Sequence, residues 1–259
     1  MTYCLAIKVR EGIVGLADTR LTSGNEFSVA KKVTVHQHGQ KNALFIMTSG
    51  LRSVRDKAIT YFNEAIEQSG QTYGKLYRAV NALAEQLRRV AQEDKAALYD
   101  SGLRFNLYAV VGGQLAEDTE PKLYLLYPEG NWVEVGETSP FFIIGNSGYG
   151  RPILVRTIDY HHTSLPFAVK AGFMSFDATR LCCNDVDYPV DVVMYERDSY
   201  LITEHRFHRK DFEDISDQWN QDLIGSIHRM PDAWMTPMMD KWDAEQKARA
   251  LAHAHGGTL

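Results

Sequence analysis

Thr2 stands directly behind Met1, and an initiator methionine is ordinarily excised when the next residue is as small as threonine. Excision leaves a hydroxyl and a free α-amine on one residue. An unperturbed α-amine titrates near about 7.7–8.0, which suits it to take a proton at neutral pH. Thr2 would then carry nucleophile and base together. Asp18 and Lys32 are the charged partners such a pair requires. A nearby ammonium lowers the pKa of hydroxyl and amine alike, and an aspartate keeps that lysine charged and aimed. A retained Met1 would block the amine and remove the base.

These residues need elements to bring them together. Tyr3 to Val9 and Ile13 to Ala17 are apolar and β-compatible, with Arg10-Glu11-Gly12 as the turn between them. A turn centred on Glu11 makes opposed positions sum to 22, so Thr2 faces Arg20 with Asp18 as its diagonal neighbour. All three side chains then point to one face. Lys32 ends the polar loop before the next apolar strand and reaches the same face.

Val33–His38 and Ala43–Thr48 form a second predicted strand pair. Two helices follow. Their apolar stripes are Val54, Ala58, Phe62, Ile66 and then Leu76, Val80, Leu83, Leu87, Val90; Ser69-Gly70 separates them. Strands are predicted again at Phe105–Val111, Leu123–Tyr127, Trp132–Val135 and Phe141–Ile144. Helices are predicted near residues 148–159 and 164–180, the latter with Ser164 as N-cap. Val190–Glu196 and Ser199–Arg206 close the pattern as a hairpin. Strands, two helices, strands, two helices, strands is the order of antiparallel sheets with helices on their outer faces. This predicts an α+β fold over residues 1–210, and residues 211–259 form a helical extension broken around Met230-Pro231.

A chain of 259 residues with 44% hydrophobic and 24% charged side chains can bury a sizeable core and is neither disordered nor fibrous. No apolar run approaches the roughly 18–20 residues that span a bilayer. The N-terminus has no signal-peptide features, and three cysteines make no disulfide framework. A soluble, cytoplasmic protein is expected. The net charge of −5 falls entirely in residues 211–259, and no basic face stands out, so neither nucleic acid nor membrane is an expected partner. That tail also holds Trp219, Trp234 and Trp242, three of the four tryptophans, and reads as a segment that packs or binds.

Other constellations are weaker. His36/His38 and His205/His208 lie on predicted strands without an evident carboxylate, so they read as sheet histidines and no metal is expected. Gly145-Asn146-Ser147-Gly148-Tyr149-Gly150 lacks the following Lys-Ser/Thr of a phosphate loop. No cofactor is expected.

Thr2, Ala17-Asp18-Thr19-Arg20, Lys32-Val33, and Thr48-Ser49-Gly50 with Asp56 beyond together resemble a proteasome β-type subunit, of the N-terminal-nucleophile hydrolases. The bacterial proteasome-related Anbu group is more similar still. That likeness rests on Met1-Thr2-Tyr3, Ala6-Ile7-Lys8, the run from Gly145 through Leu154, Ser175-Phe176-Asp177 and Pro189-Val190-Asp191. It spans roughly residues 2–206. The resemblance implies a four-layer αββα sandwich and a threonine peptidase that assembles into a homo-oligomer, either a ring or an open helix, acting on peptide or unfolded protein. By the same resemblance Thr2 is the nucleophile, Asp18 and Lys32 its activating pair, and Gly50 the oxyanion donor. Ser147 matches the serine that bonds the amine, with Asn146 an equal alignment. The stretch Cys183-Asn184-Asp185-Val186-Asp187 departs from the pattern, lacking its Ser-Gly pair; Asp185 is the carboxylate assigned there. Two alternatives are an amidase acting on small amides or short peptides, and a catalytically silent assembly.

Overall fold

The structure, a computed structural model, describes residues 2–23, 26–37, 39–69 and 73–255. Its elements in chain order begin with strands β1 (Tyr3–Val9), β2 (Gly12–Asp18), β3 (Arg20–Ser23), β4 (Glu26–Val29), β5 (Val33–Gln37) and β6 (Asn42–Gly50). Helices α1 (Arg52–Ser69) and α2 (Leu76–Asp100) follow, then strands β7 (Leu107–Leu115), β8 (Lys122–Leu126), β9 (Trp132–Glu134) and β10 (Phe141–Gly145). Helices α3 (Arg151–Thr157) and α4 (Leu165–Cys182) precede strands β11 (Val190–Glu196) and β12 (Ile202–Phe207). Helices α5 (Glu213–His228) and α6 (Thr236–His255) complete the chain. It divides into two compact units, Met1–Glu213 and Asp214–Leu259.

Within the first unit two five-stranded antiparallel sheets, β10-β1-β2-β11-β12 and β5-β6-β7-β8-β9, build the framework. Three apolar layers hold it together. Val54, Phe62, Leu83 and Leu87 of α1 and α2 pack on Leu44, Ile46 and Val111 of the second sheet. Phe173, Phe176 and Ala168 of α4 pack on Tyr3, Leu5 and Leu16 of the first. Cys4, Ala6 and Ala17 meet Phe45, Met47 and Val110 between the sheets. Helix, sheet, sheet, helix is thus the order of layers, and the αββα sandwich stands. Each fully buried side chain of Leu, Ile or Phe size contributes about 1.5–3 kcal/mol by leaving water.

This layering explains the sequence of β1 and β2. Both strands are buried on both faces along their whole length, so they read as continuous apolar runs and not as alternation. Gly172 on α4 lets the helix approach closely, since a Cβ there would sit 2.7 Å from a Leu16 methyl. Tyr195 bridges the two sheets through its hydroxyl, which donates to Gln114 Oε1 at 2.8 Å.

The first hairpin differs from the expected register by one residue. Cys4 pairs with Ala17 and Val9 with Gly12, so opposed positions sum to 21. Gly12 belongs to the ladder and the turn is the pair Arg10-Glu11, too short to centre on Glu11. A second departure is the β3–β4 hairpin, which the polar character of residues 20–31 suggested was a loop. Its residues 24 and 25 lie outside the described residues, as does His38.

In the second unit α5 exposes Ile224 and Ile227, the connection from α5 to α6 exposes Trp234, and α6 exposes Trp242. Among the described residues no helix is long and apolar enough to cross a membrane.

Candidate active site

The site forms where β1 starts, β2 ends and β6 ends. Thr2 precedes β1 and is only 8% exposed, although the termini of most chains are solvated. Three contacts fix it. The Tyr3 backbone N–H donates to Asp18 Oδ1 at 2.8 Å. The Thr2 carbonyl accepts from the Asn146 backbone N–H at 2.8 Å. The Tyr3 hydroxyl, behind the site in the helix-side core, donates to Ser175 Oγ at 2.6 Å.

Gly145 is the residue that permits this approach. Its φ is +90°, and a Cβ there would fall 1.8 Å from the Thr2 carbonyl oxygen. Gly150 similarly lies against Ser175, with a Cβ placed 2.3 Å from its Oγ. The glycine-rich run after β10 is therefore a close-packing device around Thr2.

Asp18 and Lys32 form a buried ion pair. Lys32 Nζ lies 2.7 Å from Asp18 Oδ1, with side chains 2% and 0% exposed, and it also donates to the Arg20 carbonyl at 2.8 Å. Burial pushes the Asp18 carboxyl upward, and the Lys32 ammonium with the Tyr3 N–H partly offsets that rise. With the register at 21, the diagonal of a hairpin face does not bring Asp18 to Thr2. Asp18 reaches it instead through the Tyr3 N–H and through Lys32.

Lys32, Gly50 and Thr2 line one cavity of 10 Å³, together with Thr48, Arg52 and Arg55. A second cavity of 360 Å³ also touches Thr2 and Gly50, and Ser49, Asn106, Tyr108 and Gly145 complete its wall. Gly50 has φ +146°, and a Cβ there would lie 2.1 Å from the Asn106 carbonyl, so this corner requires glycine. Its place beside both cavities puts backbone, and not a side chain, next to the Thr2 hydroxyl's surroundings.

Ser147 follows Asn146 in the loop before α3, and its carbonyl accepts from the Arg151 N–H at 3.3 Å. The Asn146 backbone N–H donates to the Thr2 carbonyl, so this loop is anchored beside Thr2 through the main chain. The Asn146 side-chain Nδ2 also donates to Cys183 Sγ at 2.6 Å, which ties the loop to the turn after α4. Asp185 sits half-buried in that turn. Asp187, two residues on, pairs with Arg20 Nη1 at 3.3 Å and with Arg209 Nη2 at 2.6 Å. Sequence reasoning did not single out Gly145, Arg52 or Arg55; the glycine's exclusion as a phosphate-loop residue concealed its packing role. Arg206 engages Asp191 through two bonds of 2.6 and 2.9 Å, so the aspartate of Pro189-Val190-Asp191 serves the sheet.

His36 is buried edge-on against Phe62 at 5.5 Å. Among the described residues no group of three or more His, Cys, Asp or Glu could hold a metal ion. Cys4 is buried, and burial pushes its thiol pKa well up, so it is inert beside Thr48 although its sulfur approaches that carbonyl at 3.6 Å.

Comparison with known proteins agrees with the fold. The family model described as proteasome subunit matches residues 2–163. An Anbu Gly-1 mutant from Hyphomicrobium sp. strain MC1 is 29% identical with TM-score 0.81, over 89% of this chain and 98% of that one. Anbu, described as an ancestral beta-subunit, from Yersinia bercovieri is 26% identical with TM-score 0.82, over 88% and 98%. The helical assembly of the Anbu complex from Pseudomonas aeruginosa is 28% identical with TM-score 0.83, over 88% and 97%. A search of curated protein sequences returns no match.

Proposed function

Because this chain belongs to the proteasome subunit family, we propose that it is a threonine peptidase whose nucleophile is Thr2, exposed as the N-terminus once Met1 is removed. The observation that carries the reading is the Lys32–Asp18 pair. It is buried at 2.7 Å, and its lysine lines the same cavity as Thr2 and Gly50. A structural ion pair alone would have no reason to stand beside a small hydroxyl at a chain terminus.

The chemistry runs in two halves. Thr2 Oγ attacks the amide carbonyl carbon while its own α-amine takes the hydroxyl proton. The Lys32 ammonium favours this by stabilising negative charge at Oγ, and Asp18 holds the ammonium in place. The tetrahedral oxyanion takes the Gly50 N–H, and such a donor contributes a factor of roughly 10²–10³ in rate. Collapse breaks the C–N bond, and the Thr2 ammonium returns its proton to the leaving amine. Water then attacks the threonyl ester, the same amine removes its proton, and Oγ recovers it as the acid departs. Ser147 and Asn146 position the amine in this scheme, and Asp185 lies in the turn that supports them.

The family and the helical assembly of the Pseudomonas aeruginosa Anbu complex support a homo-oligomer for this chain as well. Peptide or unfolded protein is the substrate class, and the cytoplasm the compartment. The test is hydrolysis of fluorogenic peptides by the full-length chain made without an N-terminal tag, against Thr2→Ala. Loss of roughly a thousandfold or more in kcat/KM is expected, the order seen when a nucleophile is removed. Equal rates in the two proteins would overturn the reading.

A further inference from the structure

The two cavities that meet at Thr2 differ in charge. The larger, of 360 Å³, is walled by Leu21, Ser49, Asn106 and Tyr108 beside Thr2 and the two glycines, all uncharged. The smaller, of 10 Å³, shares Leu21, Thr2 and Gly50 with it and adds Lys32, Thr48, Arg52 and Arg55. No carboxylate lines it among the described residues. Lys32 is matched by Asp18, but Arg52 and Arg55 share one carboxylate, that of Asp56. Among the described residues, the three cations of this wall are therefore paired with two carboxylates, Asp18 and Asp56.

The two arginines are held differently. Arg55 gives Nε and Nη2 to Asp56 Oδ1 at 2.8 and 2.6 Å and Nη1 to the Lys31 carbonyl at 3.3 Å. Its side chain is 15% exposed, so it is a fixed wall. Arg52 has a single long contact to Asp56, 3.3 Å, and its side chain is 61% exposed. It can swing outward and enlarge a cavity that otherwise holds about one water molecule. Thr48 supplies the third element. It is 4% exposed, and its hydroxyl has no hydrogen-bond partner among the described residues, which is costly unless something donates or accepts there.

We infer that this cavity receives an acidic side chain, aspartate or glutamate, from the residue whose carbonyl Thr2 attacks. This rests on the threonine-nucleophile reading and adds the substrate class. The side chain of that residue branches two bonds from Thr2's target carbon, so it must occupy a space touching Thr2. The continuing backbone needs the larger, neutral cavity, and the smaller one is left for the side chain. Arg52 turns from Asp56 to the incoming carboxylate, which accepts its N–H groups in the charge-assisted geometry guanidinium favours. The Thr48 hydroxyl donates to the second carboxylate oxygen. A lysine or arginine side chain would meet like charge, and a bulky apolar one would leave the Thr48 hydroxyl unsatisfied and offer Arg52 nothing in exchange for Asp56.

The test compares acetylated tetrapeptide coumarin amides that differ only in the residue at the scissile bond, Glu, Leu or Arg, on the full-length chain with processed Thr2. Glu is expected to exceed Leu in kcat/KM by about tenfold, the worth of one hydrogen bond to a charged group, and Arg to be slowest. Arg52→Ala should bring the Glu-to-Leu ratio down toward one, and Arg52→Glu should invert the order of Glu and Arg. A wild-type ratio at or below one, or a ratio that neither substitution moves, overturns the inference while leaving Thr2 as nucleophile. Failure of all three peptides, with no adduct on Thr2 from a peptide epoxyketone of any of the three, removes the nucleophile reading and this one with it.

Discussion

Lys32 Nζ and Asp18 Oδ1 stand 2.7 Å apart in a place where neither side chain meets water. Two charges so buried cost several kcal/mol to desolvate, and only their mutual attraction with added hydrogen bonds offsets that cost. Here the additional bonds are the Arg20 carbonyl on the lysine and the Tyr3 N–H on the aspartate. The same bonds that satisfy the pair anchor the backbone next to Thr2.

Removing one partner should therefore damage stability and rate together. Lys32→Met is expected to destabilise the fold by about 3–5 kcal/mol if Asp18 stays ionised, and less as Asp18 takes up a proton. The double variant Asp18→Asn/Lys32→Met should regain much of that stability in urea unfolding, yet recover none of the peptidase rate. Recovery of rate in the double variant would show that the pair is structural alone.

The pH dependence has opposite signs for activity and stability. Burial raises the Asp18 carboxyl above its usual value, so the folded chain takes up a proton at higher pH than the unfolded chain does. Stability from this group therefore grows as pH falls between the raised value and about 3.9. Activity should fall across the same window, because a neutral Asp18 no longer holds Lys32. A kcat/KM profile with its acid limb above the ordinary aspartate range, alongside a melting temperature that does not drop there, is expected; a limb at or below about 3.9 would contradict it.

Two glycines should be intolerant for separate reasons. Gly50→Ala places a methyl 2.1 Å from the Asn106 carbonyl and strains φ +146°, so the Gly50 N–H must move. Its rate should fall by roughly 10²–10³. Gly145→Ala would drive a methyl to 1.8 Å from the Thr2 carbonyl, and should displace Thr2 itself. Titration with a Thr2-directed epoxyketone distinguishes them: slowed labelling in both, with a lowered melting temperature, is expected.

Most of the architecture could be read from the sequence because periodicity reports it directly. The apolar runs at Val190–Glu196 and Leu76–Asp100, and the Ser164 cap of α4, whose hydroxyl accepts from Phe167 N, follow local rules. The hairpin register did not, since a turn of two residues or three differs only in whether Gly12 joins the ladder. Thr2, Lys32 and Gly50 were legible as residues of the right type, and they do share a cavity. Arg52 and Arg55 were not, because nothing local marks a helix arginine as facing a cavity formed with β6. Asn146 and Ser147 could not be ranked from sequence as partners of the amine, and the main-chain bond from the Asn146 N–H to the Thr2 carbonyl places their loop beside Thr2 without ranking their side chains.

The second unit bears on assembly. Its exposed Ile224, Ile227, Trp234 and Trp242 are residues of the kind enriched where subunits meet. A chain ending at Glu213 should keep its fold by circular dichroism and lose mass per particle in size-exclusion chromatography with light scattering. An unchanged particle mass would assign assembly to the sandwich alone.

The most direct test of the central claim is the intact mass of untagged protein, made in its native cell, before and after incubation with a peptide epoxyketone. The account predicts a mass short by one methionine, then a single further addition that maps to Thr2 and requires both its hydroxyl and its amine. Retention of Met1, or a processed chain that takes up no reagent, would contradict it and leave a proteasome-like assembly without a working nucleophile.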